Sequence, residues 1–189
     1  IDQRRAEQVK AFLASIFVDI DPNYGQGARV PASAILLKAS SRIDNEFGAD
    51  PRLALEVAAF VSNGLFETNE SKSGLYVIEA ALKRYESRLS SSDPQLLRAR
   101  GSELRAHAAA GTLSLIAGKL PELIAKLRAT DAPLTEELVL ALISLANVES
   151  WSESMQPAVA AAAEAAAWAI TLARMRVSTG PVGSRRDCA

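Results

Sequence analysis

The chain has 189 residues and a formal net charge of −1, with 49% hydrophobic but only 5% aromatic side chains. A near-neutral charge gives no electrostatic basis for binding nucleic acid, which favours a strongly basic face. The single cysteine, Cys188, excludes an intramolecular disulfide. The length suits one sizeable core or several stacked helical units.

An N-terminal helix is predicted over residues 1–20. Apolar side chains recur from Val9 to Ile20 at spacings of three and four residues, which places them on one helix face. Asp21-Pro22 ends this helix, because proline lacks a backbone donor and restricts the residue before it.

Residues 21–30 are predicted to form an irregular linker. Gly25 and Gly27 would suit a phosphate-binding loop only after a strand, and neither a strand pattern nor a Gly-Lys-Ser/Thr motif is present. Pro31 is typical of the first turn of a helix, so a second helix is predicted from Pro31 through Phe47.

Three later segments open alike, with aspartate before or near proline and then an apolar helix: "ADPRLALE", "SDPQLLRA" and "TDAPLTEE". Aspartate accepts hydrogen bonds from the free N–H groups of the first turn, and proline presets the backbone. Pro51, Pro94 and Pro133 are separated by 43 and 39 residues, and each interval holds two helical patterns. This spacing is typical of helix-hairpin repeats.

The predicted fold is therefore all-α, with about eight helices. A helical repeat domain is expected over residues 31–177, with hairpins at about 51–90, 93–130 and 133–176, and residues 178–189 form a polar tail. No alternating strand pattern of useful length is present.

Helix ends and buried faces are predicted within the first two hairpins. Asn69 suits a left-handed helix end, and the first helix of the second hairpin is expected to continue to Gly118. One buried stripe in the first helix is expected to contain Leu53, Val57, Phe60, Val61 and Leu65.

The paired helices resemble tetratricopeptide repeats, which place small residues where the two helices of a hairpin cross. The matching positions are Ala58, Ser62, Gly74 and Ala81 beside the larger Leu65 and Ile78, and then Gly111 and Gly118 in the second hairpin. The resemblance implies a right-handed stack of antiparallel helix hairpins, an α-solenoid with an extended concave surface.

The resemblance also implies where a partner would bind. In the tetratricopeptide arrangement the concave surface is lined mainly by first helices. Carrying that frame onto this sequence gives a protein- or peptide-binding set of Glu56, Asn63, Phe66, Arg105 and Thr112. Acid, amide, aromatic and basic side chains together suit peptide capture, and no cofactor is implied.

A more specific likeness covers residues 4–90, through "RRAEQVKAFLASIF", "ASAILLKASSRIDNEF" and "DPRLALEVAAFVSNGLFETNE". It is similar to the repeat region that follows the kinase domain and membrane-spanning helix of certain bacterial serine/threonine protein kinases. The likeness implies a non-catalytic sensory or interaction region of a membrane-anchored signalling protein, on the extracytoplasmic side. Similar regions follow winged-helix DNA-binding domains, so the alternative is the ligand-sensing region of a cytoplasmic transcriptional regulator.

No catalytic or metal-binding pattern is expected to operate here. His107 is the only histidine, with Glu103 one turn before it, whereas a zinc site needs three or four ligands. The Gly-rich loop and the HRD and DFG elements of a kinase do not occur in the sequence. Three acidic pairs are expected to be solvated charges: Glu67 with Glu70, Glu136 with Glu137, and Glu149 with Glu153.

The alanine-rich segment at residues 157–173 is predicted to be a packed helix rather than a membrane span. It carries Glu164 and is at the short limit for crossing a bilayer. Small side chains allow helices to approach closely, so this helix is also the expected contact of a possible homodimer.

Overall fold

A computed structural model gives the structure of the chain and describes residues 7–12, 14–15, 31–130, 134–150 and 156–178. Every regular element in these ranges is helical, which confirms the all-α prediction. The predicted linker and nearly all of the predicted tail lie outside the described residues.

Nine α-helical segments run through the described part of the chain. They are α1 (residues 7–12 and 14–15), α2 (Ala32–Ser40), α3 (Ile43–Phe47), α4 (Pro51–Glu67), α5 (Ser71–Tyr85), α6 (Pro94–Ala109), α7 (Leu120–Ala129), α8 (Thr135–Glu149) and α9 (Gln156–Ser178). Two 3-10 helices, Glu86–Arg88 and Leu113–Lys119, follow α5 and α6.

The predicted second helix is in fact two helices, α2 and α3. The hydroxyls of Ser40 and Ser41 each donate to a backbone carbonyl three residues earlier, at 2.7 and 2.8 Å. Such side-chain bonds compete with continuation of a helix. Pro31 lies just before the first turn rather than within it, because its ψ of 142° is extended and α2 begins at Ala32.

Two of the predicted Asp-Pro helix starts are confirmed. Asp50 Oδ1 accepts from the N–H groups two and three residues ahead, at 3.1 and 3.3 Å. Asp93 Oδ1 accepts from the N–H of Gln95 at 2.9 Å. Pro51 and Pro94 are the first residues of α4 and α6. The third predicted start lies outside the described residues.

Helices α4 and α6 end in the same way. Asn69 and Gly111 both have a φ of 68°, so both are in the left-handed region. The N–H after Asn69 bonds to the Leu65 carbonyl at 2.8 Å, and the N–H after Gly111 bonds to the His107 carbonyl at 2.9 Å. These are Schellman ends, and the left-handed end predicted at Asn69 is confirmed.

The prediction that the first helix of the second hairpin continues to Gly118 is wrong. Helix α6 ends at Ala109, because the left-handed backbone of Gly111 closes its last turn. The chain then enters the 3-10 helix, in which Leu115 is 75% exposed.

Helix α6 lies at the centre of the packing. It contacts α4 and α5 on one side and α8 and α7 on the other. Leu96 and Ala99 belong to the core formed with α1–α5, whereas Leu97 and Leu104 belong to the core formed with α7–α9. One helix therefore joins both cores.

The α4–α5 hairpin closes on small side chains. Ala58 and Ser62 are fully buried, and Ser62 Oγ donates to the Gly74 carbonyl at 2.8 Å. A Cβ added at Gly74 would lie 2.5 Å from Phe66 Cε1 and 2.8 Å from the Ser62 carbonyl oxygen. The expected burial of small residues at this crossing is confirmed.

Replacing Gly74 by Ala is expected to lower the free energy of unfolding by about 1–2 kcal/mol. The new Cβ meets a backbone oxygen that moves only if α4 and α5 separate, and this overpacking outweighs the gain in helix propensity. Urea unfolding followed by circular dichroism measures the change. Gly118→Ala is the control, because nothing lies within 4 Å of its added Cβ. A Gly74→Ala protein as stable as the wild type would contradict the close crossing.

Helices α3 and α5 are joined by a buried tyrosine and an aspartate. Tyr85 is 1% exposed and donates its hydroxyl to Asp44 Oδ1 at 2.5 Å. Arg84 forms an ion pair with the same carboxylate. Burial and the hydrogen bond to Asp44 raise the pKa of Tyr85 from 10.0 to about 12.

The raised pKa of Tyr85 predicts a loss of stability in strong alkali. Its contribution is complete below pH 10, the ordinary pKa, and is lost as the pH rises through the folded pKa of about 12. The stability difference between wild type and Tyr85→Phe should therefore shrink across this range. Subtracting the phenolate absorbance titration of Tyr85→Phe from that of the wild type isolates this residue. A midpoint near pH 10 would contradict the buried bond to Asp44.

Candidate functional site

Helix α4 leaves one narrow strip uncovered by its neighbours. Arg52, Glu56, Phe60 and Glu67 are exposed along it and Asn63 is half-buried, at spacings of three or four residues. The prediction that Phe60 is buried is wrong, since its side chain is 53% exposed. The reason is that α2, α3, α5 and α6 all pack on α4, and Phe60 lies in the one direction that they leave open.

Two polar contacts set α4 and α6 side by side. Arg52 Nε donates to Asp93 Oδ2 at 2.8 Å near the start of both helices. Arg105 Nη1 donates to Asn63 Oδ1 at 3.4 Å near their ends. The paired residues are 41 and 42 positions apart, so the two helices run in the same direction in a constant register.

The buried partner in this arrangement is Asp93. Its side chain is 3% exposed and accepts from both the N–H of Gln95 and the guanidinium of Arg52, which is itself 54% exposed. A buried carboxylate is tolerated only when it is paired and hydrogen-bonded. Asp93 therefore begins α6 and holds it against α4 at the same time.

The register places α6 side chains beside the uncovered strip of α4. An offset of 42 residues brings Arg98 level with Glu56 and the buried Ser102 level with Phe60. Arg98 and Arg105 are both exposed. We call the resulting surface the α4–α6 face, and it comprises Glu56, Phe60, Asn63, Arg98 and Arg105.

Three of the five residues in the predicted binding set lie on this face: Glu56, Asn63 and Arg105. Phe66 does not, because its ring lies over Gly74 in the hairpin contact and is half-buried against the core. Thr112 does not either, because it follows the last turn of α6 and its Oγ1 lies 2.9 Å from His107 Nδ1.

Two residues of the face, Phe60 and Arg98, were missed by sequence reasoning. A signal for each is present in the sequence. Phe60 is four residues after Glu56 and three before Asn63, which is helical spacing. Arg98 follows Glu56 by 42 residues, close to the interval between Pro51 and Pro94.

His107 is a buried link between α6 and α5. It is 3% exposed, and its Nε2 lies 3.4 Å from Glu79 Oε1. Within the described residues Nε2 has no hydrogen-bond partner, and no group of three or more His, Cys, Asp or Glu side chains could hold a metal ion. Through its Nδ1, which lies 2.9 Å from Thr112 Oγ1, His107 holds the residue after Gly111 against the end of α6.

Helix α9 packs through alanine and carries a paired charge. Ala158, Ala161 and Ala165 are buried, and Glu164 forms an ion pair with Arg128 of α7. Its outer surface includes Ile170, which is 55% exposed. Among the helices of the described residues, none combines the length and apolar character needed to cross a membrane.

No protein-family model, curated protein or solved structure matches the chain. The class that the described residues define is an all-helical protein in which successive helices pack against one another. The candidate binding surface of this protein is the α4–α6 face.

Replacing Asp93 by Ala is expected to lower the free energy of unfolding by about 1–2 kcal/mol, because the cap of α6 is lost. Asp93→Asn retains a capping oxygen and loses only the charge facing the half-exposed Arg52, so it is expected to lose less. Urea unfolding of both variants shows which of them is less stable. If Asp93→Asn lowered the stability as much as Asp93→Ala does, the negative charge rather than the capping oxygen would stabilise the start of α6.

Proposed function

We propose that the chain is a non-catalytic interaction region of a bacterial signalling protein, built as a right-handed stack of tetratricopeptide-like hairpins. Two observations support this arrangement. The first helices of the three hairpins, α4, α6 and α8, contact one another in succession, and each second helix, α5 and α7, also contacts the next first helix. In such a stack the first helices line the binding surface.

The observation that carries the proposal is the exposed aromatic ring of Phe60. It is 53% exposed, lies on the one strip of α4 that the neighbouring helices leave uncovered, and is level with the small Ser102. Exposed Arg98 and Arg105 flank this position on α6. Aromatic and arginine side chains are the groups enriched at the energetic centres of protein interfaces.

The spacing of the arginines defines the partner that this face would bind. Arg98 and Arg105 are two helical turns apart, which is about 10 Å along α6. An extended peptide rises about 3.3 Å per residue and places only alternate side chains on one face, so two acidic side chains four residues apart, about 13 Å, can both reach these long side chains. The partner is therefore an extended segment with two acidic side chains about four residues apart and an apolar side chain midway between them, on the same face, for Phe60.

The parent protein proposed from the resemblance is a membrane-anchored serine/threonine kinase, with this region outside the cytoplasm. The second candidate is the ligand-sensing region of a winged-helix regulator. One observation favours it, namely a cavity of about 420 Å³ beside α6, a size within the range of small-molecule sites.

Selection from a displayed library of random peptides tests the α4–α6 face. We expect the recovered peptides to share the spaced acidic pattern, and Phe60→Ala to weaken their binding about tenfold or more, as for a hot-spot residue. Arg105→Gln should weaken the binding of acidic peptides and reduce the salt dependence of their affinity. Fluorescence anisotropy with one labelled peptide measures both effects.

Tyr76→Ala is the matched control, because Tyr76 is an aromatic side chain on α5 that is 74% exposed and lies outside this face. Its affinity for the peptide should equal that of the wild type. Failure of the library to yield any binder, or binders that respond equally to Tyr76→Ala and Phe60→Ala, would count against the proposal.

A further inference from the structure

A cavity of about 420 Å³ lies between α6 and α7, bordered by the 3-10 helix Leu113–Lys119 and by the turn after α5. Its deepest lining is apolar, since Leu97, Leu104 and Leu120 are each at most 1% exposed. We call it the α6–α7 cavity. It lies on a different side of α6 from the face that carries Arg98 and Arg105, neither of which lines it.

The cavity exists because the second hairpin does not close as the first one does. In the first hairpin, Gly74 and Ser62 bring α4 and α5 into direct contact. In the second, α6 ends at Gly111 and the 3-10 helix comes between it and α7. Helices α6 and α7 therefore pack less extensively than α4 and α5, and apolar side chains line the space between them.

The charged groups of the cavity are arranged around Arg100. Its guanidinium forms ion pairs with Glu103, whose side chain is 10% exposed, and with Glu86, whose side chain is 41% exposed. Glu103 is on the same helix and is held by burial, whereas Glu86 begins the short turn after α5. Of the two carboxylates, Glu86 is therefore the one that an entering anion can replace.

The other charges leave a positive group available. Lys126 pairs with Glu122 one turn earlier on α7, at 2.6 Å. Lys119 also lines the cavity and lies in no ion pair among the residues that the structure describes. Arg100 and Lys119 together thus provide cationic groups above an apolar floor.

We propose that the α6–α7 cavity binds a small amphipathic carboxylate, whose apolar body rests on the leucine floor and whose carboxylate replaces Glu86 on Arg100. Arginine recognises carboxylates through its fork of N–H donors, two of which are now used by Glu86 and Glu103. A lone carboxylate without an apolar body would leave the floor unfilled, and an apolar molecule without a charge would leave Glu86 in place. The proposal is independent of the α4–α6 face.

Isothermal titration calorimetry with three probes of equal chain length tests this inference. Sodium octanoate should bind at one saturable site, whereas 1-octanol should bind at least about tenfold more weakly, as expected for losing a hydrogen-bonded charge. Octylammonium should bind no better than 1-octanol. Equal affinity for all three probes, or no saturable binding of octanoate, would overturn the proposal.

Two variants separate recognition of the carboxylate from simple hydrophobic uptake. Glu86→Gln removes the carboxylate that competes with the ligand for Arg100. It should tighten octanoate binding about two- to fivefold, the range of a partly exposed ion pair, and leave the binding of 1-octanol unchanged. Leu123→Trp adds bulk to a half-buried lining residue and should abolish binding of every probe. Both leave the pair between Arg100 and the buried Glu103 intact.

Glu164→Gln is the matched control for Glu86→Gln, because it removes the acidic partner of Arg128 away from the cavity. Octanoate affinity should be unchanged in this variant, and circular dichroism should show native helix content in all three variants. If Glu86→Gln weakened octanoate binding, or if Leu123→Trp bound it as wild type does, the cavity would not be the site. Neither result bears on peptide binding at Phe60.

Discussion

The arrangement of this protein depends on a buried carboxylate at the start of α6. Asp93 accepts from the first turn of its own helix and from Arg52 of α4. An acid this buried is stable only while both contacts persist. The capping of the first turn and the pairing of the charge with Arg52 therefore fix where α6 begins and which of its sides faces α4. Without these contacts, the register that brings Arg105 to Asn63 would depend on the apolar packing of α6 against α4 alone.

Helix α6 then contacts four surroundings at once. Leu96 points into one core and Leu97 into the other, while the guanidinium groups of Arg100 and Arg105 reach the α6–α7 cavity and the α4–α6 face. Helix α6 presents apolar residues on two sides and charged residues on the two sides between them, so it has little freedom to rotate about its axis. For the same reason its apolar residues are not gathered on one face, as they are in a helix with a single buried side.

The features predicted from sequence are those that local physical chemistry determines. Asp50 and Asp93 cap the turns that follow them, and Asn69 takes the left-handed backbone that ends α4. These outcomes need only neighbouring residues. The exposure of Phe60 and the half-burial of Phe66 could not be predicted in this way. Each depends on which sides of α4 are covered by helices distant in sequence, whereas apolar spacing placed Phe60 in the buried stripe and the repeat frame placed Phe66 on the binding surface.

The candidate site could be predicted from the sequence only in part, for a related reason. Glu56, Asn63 and Arg105 follow from a repeat frame, whereas the end of α6 departs from that frame at Gly111. Because the backbone of this one residue is left-handed, α6 ends early and Thr112 lies against His107. A 3-10 helix then follows in place of a close crossing between α6 and α7. The α4–α5 hairpin has a glycine at its crossing and is tightly packed. In the following hairpin Gly111 ends the first helix instead, and a cavity remains between α6 and α7, so the position of a left-handed glycine decides here whether the two helices meet along their length.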